Sequence, residues 1–378
     1  MVKITVIIPA YNVESYIEEC LDSVVNQSFG DIEIVCVNDG STDNTLDILN
    51  VYAEKDSRIR IINQTNHGLS YSRNIAMENA RGEYICFLDA DDYLDLDTLE
   101  KTYAISEEKS LDFVIFKLID FDDETRELKA DYYFDMPYLK RIVGDSVFSI
   151  DEVQENLYKM CVTAPGKLYR HDFIKDFKFP EGLIFEDNAY FTELMFNAKR
   201  IYFLDEYLYF RRVRFSSITN SNANFSDWID IANLLADITK KYGYYDNARY
   251  KRVVFCKKIY NSYKHFLLAR PEDKEDFFKK LQEDFKNHQQ EYEASEIFYN
   301  LDPKAKLIFR TGIEAKNHEE FELTIRIYEL ERSNKKLEKQ NSKLKRNIKS
   351  YKRKNDVILN STSWKTTKPL RMAGNIFK

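Results

Sequence analysis

Four short apolar runs alternate with segments of helical periodicity across the first 110 residues, and this alternation limits the chain to few architectures. The runs are Ile4-Thr5-Val6-Ile7-Ile8, Ile32 to Val37, Arg58 to Ile62 and Tyr84 to Leu88. Between them, Ile17, Leu21, Val24 and Val25, then Leu46, Leu49 and Ala53, then residues 69–80, carry the spacing of helices. Strands separated by helices predict βαβ units and a mostly parallel, Rossmann-like α/β sheet. Such crossovers are right-handed, so the strand ends gather on one edge.

The polar residues of interest fall at those ends. The first end reads Pro9-Ala10-Tyr11-Asn12, a sequence that also serves a plain strand-to-helix turn. The second reads Asn38-Asp39-Gly40-Ser41-Thr42-Asp43. Gly40 permits a tight turn, Ser41 or Asp43 suits a helix cap, and Asp39 precedes the cap and is expected to accept hydrogen bonds from a base or ribose. The third contains Asn66-His67-Gly68 and Arg73, a cation one turn into a helix that faces either phosphates or a neighbouring carboxylate. The fourth ends abruptly in Asp89-Ala90-Asp91-Asp92. Two carboxylates two residues apart can hold one hard divalent cation and leave room for substrate phosphates. The plainer reading is an acidic turn before the next helix, and Asp92 fits that role.

In this order and spacing the series PAYN, NDGSTD, N-x-G-x-x-x-S-R-N and DADD resembles the family 2 glycosyltransferases of the GT-A fold, of the bacterial surface-polysaccharide or glycoprotein type. The resemblance is close over residues 3–110 and thinner to about residue 220. It implies an inverting, metal-dependent transfer of a sugar from a UDP-sugar to a hydroxyl of a glycan, lipid-linked or protein-linked acceptor. It also implies that Pro9, Ala10, Tyr11, Asn12 and Asp39 line the nucleoside pocket, with Arg73, Asp89 and Ala90 supporting the nucleotide. Asp91, with Asp89, would hold Mn²⁺ or Mg²⁺ on the diphosphate. Inversion needs one base opposite the leaving group. The family supplies it from the second residue of a Glu-Asp pair, here Glu186-Asp187, so Asp187 is the expected base and Glu186 its support or an acceptor ligand. The alternative for Asp187 is a helix cap.

Two further segments follow the resemblance. Gly166-Lys167-Leu168-Tyr169-Arg170 places Lys167 on the acceptor side, although Ala164-Pro165 stands where some relatives have tryptophan. Leu208 to Thr219 resembles a tyrosine-rich strand that leads into a basic loop, with Arg212, Arg214 and Ser217 expected to close over the diphosphate; a solvated basic loop is the alternative. Phe215-Ser216 replaces the usual Pro-Gly there, and no histidine metal ligand is present in the segment. Residues 117–150 look like a variable insertion, and its Tyr132, Tyr133, Phe134, Tyr138 and Leu139 suit either core packing or stacking on sugars.

The expected organisation is a catalytic domain over 1–222, with a nucleotide half at 1–110 and an acceptor half at 111–222. A helical accessory domain follows at 223–318, then a coiled coil at 319–360 and a basic tail at 361–378. The coil rests on a seven-residue period: Leu323, Leu330, Leu337, Leu344, Tyr351 and Ile358 form one seam position, and Ile327, Asn334, Asn341, Ile348 and Asn355 the other. Asparagine at a positions is the mark of a parallel dimer that trades stability for register, so a homodimer through 323–358 is expected. A single helix lying on the body is the alternative.

Charge is divided unevenly. The chain carries −7 overall, with 15 Lys/Arg against 3 Asp/Glu in residues 331–378, which leaves −19 on residues 1–330. An acidic body argues against nucleic acid as substrate. The basic tail with Trp364 and Phe377 suits either an anionic membrane surface or a solvated end. Five cysteines without a C-x-x-C spacing read as reduced thiols of a cytoplasmic protein. No run reaches the length of a membrane span, and Met1-Val2-Lys3 enters a strand at once, so neither a signal peptide nor an anchor is expected.

Two other classes compete. A haloacid-dehalogenase-like phosphatase also has a strand-terminal D-x-D, but its motif has Thr or Val four residues on, where this chain has Tyr93. A non-catalytic coiled-coil scaffold with a GT-A fold predicts damaged carboxylates, whereas Asp39, Asp89, Asp91 and Asp187 are all present.

Overall fold

The four expected apolar runs lie side by side in a nine-stranded sheet, from one edge inward. The structure is a computed structural model and describes residues 2–213 and 224–367. Strands β1 (Ile4–Ala10) and β2 (Ile32–Asp39) are buried along their whole length, as strands covered on both faces must be. They pair in parallel with each other and with β3 (Ile59–Gln64) and β4 (Tyr84–Phe87). Helices α1 (Ile17–Val25), α2 (Thr45–Lys55) and α3 (Leu69–Glu78) make the crossovers. α1 buries Ile17, Cys20, Leu21 and Val24 on one stripe, whereas α3 buries Ser70, Ser72, Arg73 and Asn74. A helix that turns polar side chains inward needs partners for them.

Beyond β4 the expectation of a mostly parallel sheet fails. The remaining strands are β5 (Tyr93–Leu94), β6 (Phe113–Asp122), β7 (Leu128–Lys129), β8 (Lys167–Arg170) and β9 (Ile201–Val213). The order is β3-β2-β1-β4-β8-β6-β9-β5, with β7 paired to β6. β8 lies antiparallel between β4 and β6, and only β6–β9 is again parallel. The reason is topological: β8 follows a long excursion over residues 123–166 and enters the sheet from the site edge, with no βαβ crossover. The fold is thus built on a mixed sheet. Strand β6 also runs six residues past the expected Phe116, with register shifts against β9 at Phe116–Lys117 and Lys117–Leu118.

Helices Asp227–Lys241, Ala248–Leu268 and Lys274–Glu293 follow the sheet. Trp228, Ile231, Ala232 and Leu235 form a core to which Leu183 and Phe185 add. The chain divides into two compact units, Met1–Phe309 and Arg310–Lys378. The second is dominated by one helix, His318–Asn360, capped by the Asn317 side chain, which accepts from Glu320 N at 2.9 Å. On it Leu323, Leu330, Leu337, Leu344, Ile348 and Tyr351 are each more than half exposed. Among the described residues no helix is long and apolar enough to cross a membrane. All five cysteines are free. Burial raises the Cys36 and Cys86 thiols to about 12, as expected of inert core residues.

Candidate active site

Parallel pairing in register, with Ala10 beside Asn38 and Ile7 beside Phe87, brings the ends of β1, β2 and β4 together. Tyr11 is half exposed there and free to lie against a planar ring. Pro9 and Ala10 are buried at the end of β1 that reaches this edge. Asn12, at φ 51°, accepts from Thr42 N at 2.8 Å, and its own N donates to Ser41 Oγ at 3.1 Å. It therefore ties the first strand end to the second. Gly40 has φ 73°, and a Cβ there would stand 2.7 Å from Asn66 N, so the second and third ends touch through glycine.

Asp39 differs from expectation. It is buried, and its carboxylate accepts from Gln64 Nε2, His67 N and Gly68 N, all at 2.8 Å. Those bonds hold the loop before α3, and most of the carboxylate's acceptor capacity is already used.

Arg73 takes the second of its two expected roles and faces neighbouring carboxylates, from a buried position. Its Nη1 donates to Glu186 Oε1 at 2.7 Å and Asp187 Oδ1 at 3.0 Å, and its Nη2 to Asp89 Oδ1 at 3.0 Å. The guanidinium also lies 5.2 Å from the centre of the Phe179 ring. Burial opposes its charge, but Asp187, Asp89 and Glu186 outweigh burial and raise its pKa further. One planar cation thus joins the end of β4 to the pair at 186–187.

That pair begins helix Glu186–Asn197. The capping position is Phe185, whose side chain makes no cap bond, so Asp187 is not the cap that the plainer reading supposed. Phe185 has φ 68°, a left-handed conformation that costs a non-glycine residue about 1–3 kcal/mol. Its ring packs 5.8 Å from Trp228 and 4.4 Å from His265. Burial of Glu186, together with the charge of Asp187 and against the pull of Arg73, raises its pKa to about 7.

On the other side of the edge, Asp89 and Asp91 are partly exposed and Asp92 is buried. Asp92 accepts from the Tyr209 hydroxyl at 2.6 Å and from Arg212 N at 2.7 Å. Burial and the charges of Asp91 and Asp89 raise its carboxyl well above the usual range. The Arg212 Nε donates to the Asp91 carbonyl at 2.7 Å, and its guanidinium pairs with Glu19 and Asp123. Arg212 therefore shapes the carboxylate turn from behind, while the expectation had it over the diphosphate. Lys167 is fully buried, with Nζ donating to the carbonyls of Thr163 and Pro165, and burial lowers its pKa. It cannot reach an acceptor from there. Arg214 and Ser217 lie outside the described residues. Ala90 is buried beneath the turn. Sequence reasoning missed Tyr209 and Glu19, whose partners are 117 and 193 residues away.

Among the described residues no group of three or more His, Cys, Asp or Glu side chains could hold a metal by itself. The partly exposed Asp89 and Asp91 fit a different case, a hard cation held by one or two carboxylates that completes its coordination with phosphate oxygens.

A family model described as "Glycosyl transferase family 2" matches residues 5–176. An uncharacterized glycosyltransferase of Escherichia coli K12, YibD, is 30% identical over 268 residues, covering 64% of this chain and 72% of that protein. The chain belongs to glycosyltransferase family 2. Another relative, glycosyltransferase GlyA of Streptococcus pneumoniae, is 35% identical over 228 residues, which is 57% of this chain and only 31% of that longer protein. Among solved structures, S. aureus TarS 1–349 in complex with UDP-GlcNAc superposes with a TM-score of 0.67 at 23% identity, covering 87% of this chain and 92% of that one. That likeness is one of fold, and it extends past the family 2 match into the helices.

Proposed function

We propose that the chain is an inverting glycosyltransferase that moves a sugar from a UDP-sugar to an acceptor hydroxyl, with Asp187 as the base. The observation that carries this reading is the Arg73 fork. It holds Asp89, at the mouth of β4, and Asp187, at the start of a helix, on one guanidinium. A donor diphosphate at Asp89 and Asp91 and a hydroxyl at Asp187 then occupy neighbouring positions across a fixed strut. Asp187 takes the proton as the hydroxyl attacks, and no acid is needed on the leaving side. A divalent cation, Mn²⁺ or Mg²⁺, held by Asp91 and Asp89 would stabilise the charge of the departing diphosphate. UDP as the nucleotide is supported by family membership and by the ligand named for TarS. A reducing, cytoplasmic setting is supported by the free cysteines.

With Mn²⁺ present, calorimetry should detect UDP binding to the full chain, and Asp91→Asn should weaken it at least ~10-fold, the scale of one lost ligand to a cation. Absence of metal-dependent UDP binding by the unaltered protein would sink the reading.

We further propose that two copies pair in parallel through residues 323–358. Support comes from the exposed seam on helix His318–Asn360, in which Leu at d and Ile or Asn at a alternate. Truncation before Leu323 should halve the molar mass in light scattering, and an unchanged mass would remove the seam as the dimer contact. Part of the basic tail, including Phe377, lies outside the described residues; Trp364 lies within them and is partly exposed. Attachment to an anionic membrane remains the proposal read from its composition.

A further inference from the structure

A cavity of about 420 Å3 opens in the segment between β6 and β8, lined by none of the carboxylates already described. Its walls include Tyr132, Tyr133, Tyr138, Arg141, Asn156 and Lys159, with no Asp or Glu. In a body of residues 1–330 that carries −19, two cations lining a cavity without a carboxylate make a local positive site. Arg141 makes no hydrogen bond or ion pair among the described residues, and Lys159 donates only to Asn156 Oδ1, at 2.9 Å. Three tyrosines supply flat apolar faces with polar tips, the surface against which ring-shaped polyhydroxylated ligands pack. The Tyr138 hydroxyl is withdrawn from solvent and has no hydrogen-bond partner among the described residues, an arrangement that a ligand oxygen would relieve once the ring turns toward it.

Topology sets this cavity at the edge where the donor carboxylates lie. β8 runs antiparallel to β4, with Leu168 opposite Cys86, so the chain that leads into β8 lies beyond the end of β4, beside Asp89. Val162 in that lead-in donates its N–H to the Tyr133 hydroxyl at 2.9 Å. The pKa of the same hydroxyl is raised by burial, by Cys161 and by the charge of Asp187. The wall of the cavity is thus tied by that hydrogen bond to the chain that enters β8 at this edge of the sheet.

We propose that this cavity is the acceptor subsite and takes an anionic glycan, with a sugar ring against Tyr132 and Tyr133 and an acidic group on Arg141 and Lys159. This inference rests on the transferase reading and names the substrate class of its acceptor side. Arg offers a planar fork and Lys a point charge, which together suit a phosphodiester or a carboxylate on a flexible chain.

Three probes separate the possibilities: a glycerol-phosphate polymer, a polyuronate oligomer and a neutral dextran oligomer of matched length. Each is titrated into the full chain, and UDP with Mn²⁺ is titrated in parallel. One or both anionic chains should bind more tightly than dextran and lose affinity with added salt, and comparison of the two tells phosphate from carboxylate. Arg141→Glu with Lys159→Glu should weaken that binding ~10-fold or more, the scale of lost charge-assisted bonds, and Tyr132→Ala should weaken it too. These side chains are exposed, so the fold should tolerate the changes, and UDP binding should persist. The inference is overturned if neither anionic chain binds, if dextran binds as tightly, or if charge reversal changes nothing while UDP still binds. Failure of the unaltered protein to bind UDP is a separate result that strikes the transferase reading instead.

Discussion

Asp187→Asn should reduce sugar transfer by about 10²–10⁴-fold, the range that a positioned general base contributes, and leave UDP binding as it was. Asparagine has nearly the same shape, and its amide oxygen can still accept from Arg73 Nη1, now 3.0 Å from Asp187 Oδ1. The helix start and the Arg73 fork should survive. What disappears is the capacity to take a proton from the attacking hydroxyl. Single-turnover transfer and UDP titration on the same preparation separate the two effects. Turnover at the original rate would remove Asp187 as the base. Parallel loss of UDP affinity would show that the residue serves donor binding.

The second large effect is on stability. Arg73→Met should destabilise the fold by about 3–5 kcal/mol, the usual cost of removing one partner from a buried ion pair. Three carboxylates face the guanidinium, and Glu186 and Asp187 are adjacent in sequence. Without the cation they can relieve their repulsion only by protonation. Even with Arg73 in place the Glu186 carboxyl is raised to about 7, above its ordinary value of 4.5. A carboxyl whose folded pKa is raised stabilises the fold while it holds its proton and loses that contribution as pH rises through the folded value. Between about 4.5 and 7 the protein therefore loses stability from this group, and in the variant the loss should be larger and extend to higher pH. Denaturant unfolding at pH 5 and pH 8 checks both points. Equal stability loss at the two values would mean that the carboxylates do not repel one another as the geometry implies. Arg73→Lys should fall between, because a point charge cannot reach three carboxylates as a fork does.

The Rossmann-like half was legible because its information is local. Buried parallel strands read as continuous apolar runs, and their helices show a 3.6-residue period, so β1 to β4 followed from the residues alone. β8 was not legible as an antiparallel insertion: four residues, Lys167–Arg170, carry no period that reveals the partner or direction. The same distinction runs through the site. Asp89, Asp91 and the Glu186-Asp187 pair are visible as carboxylates at element ends. The duty of Arg73 is not, since its partners stand 16, 113 and 114 residues away. The partners of Asp39 and Lys167 were hidden for a related reason. Both have the right chemistry for a ligand, and only the fold reveals that backbone groups engage them within the protein.

Phe185 gives the helices that follow the sheet a part in the chemistry. Its backbone is held in a conformation that would relax if its ring were released, and the grip on that ring comes from Trp228 and His265. The residue after it is Glu186, and the next is Asp187. With Asp187 as the proposed proton acceptor, its aim depends on a clamp whose jaws lie more than 40 residues downstream. Removal of these helices should then leave the carboxylates in place and lower the rate of transfer.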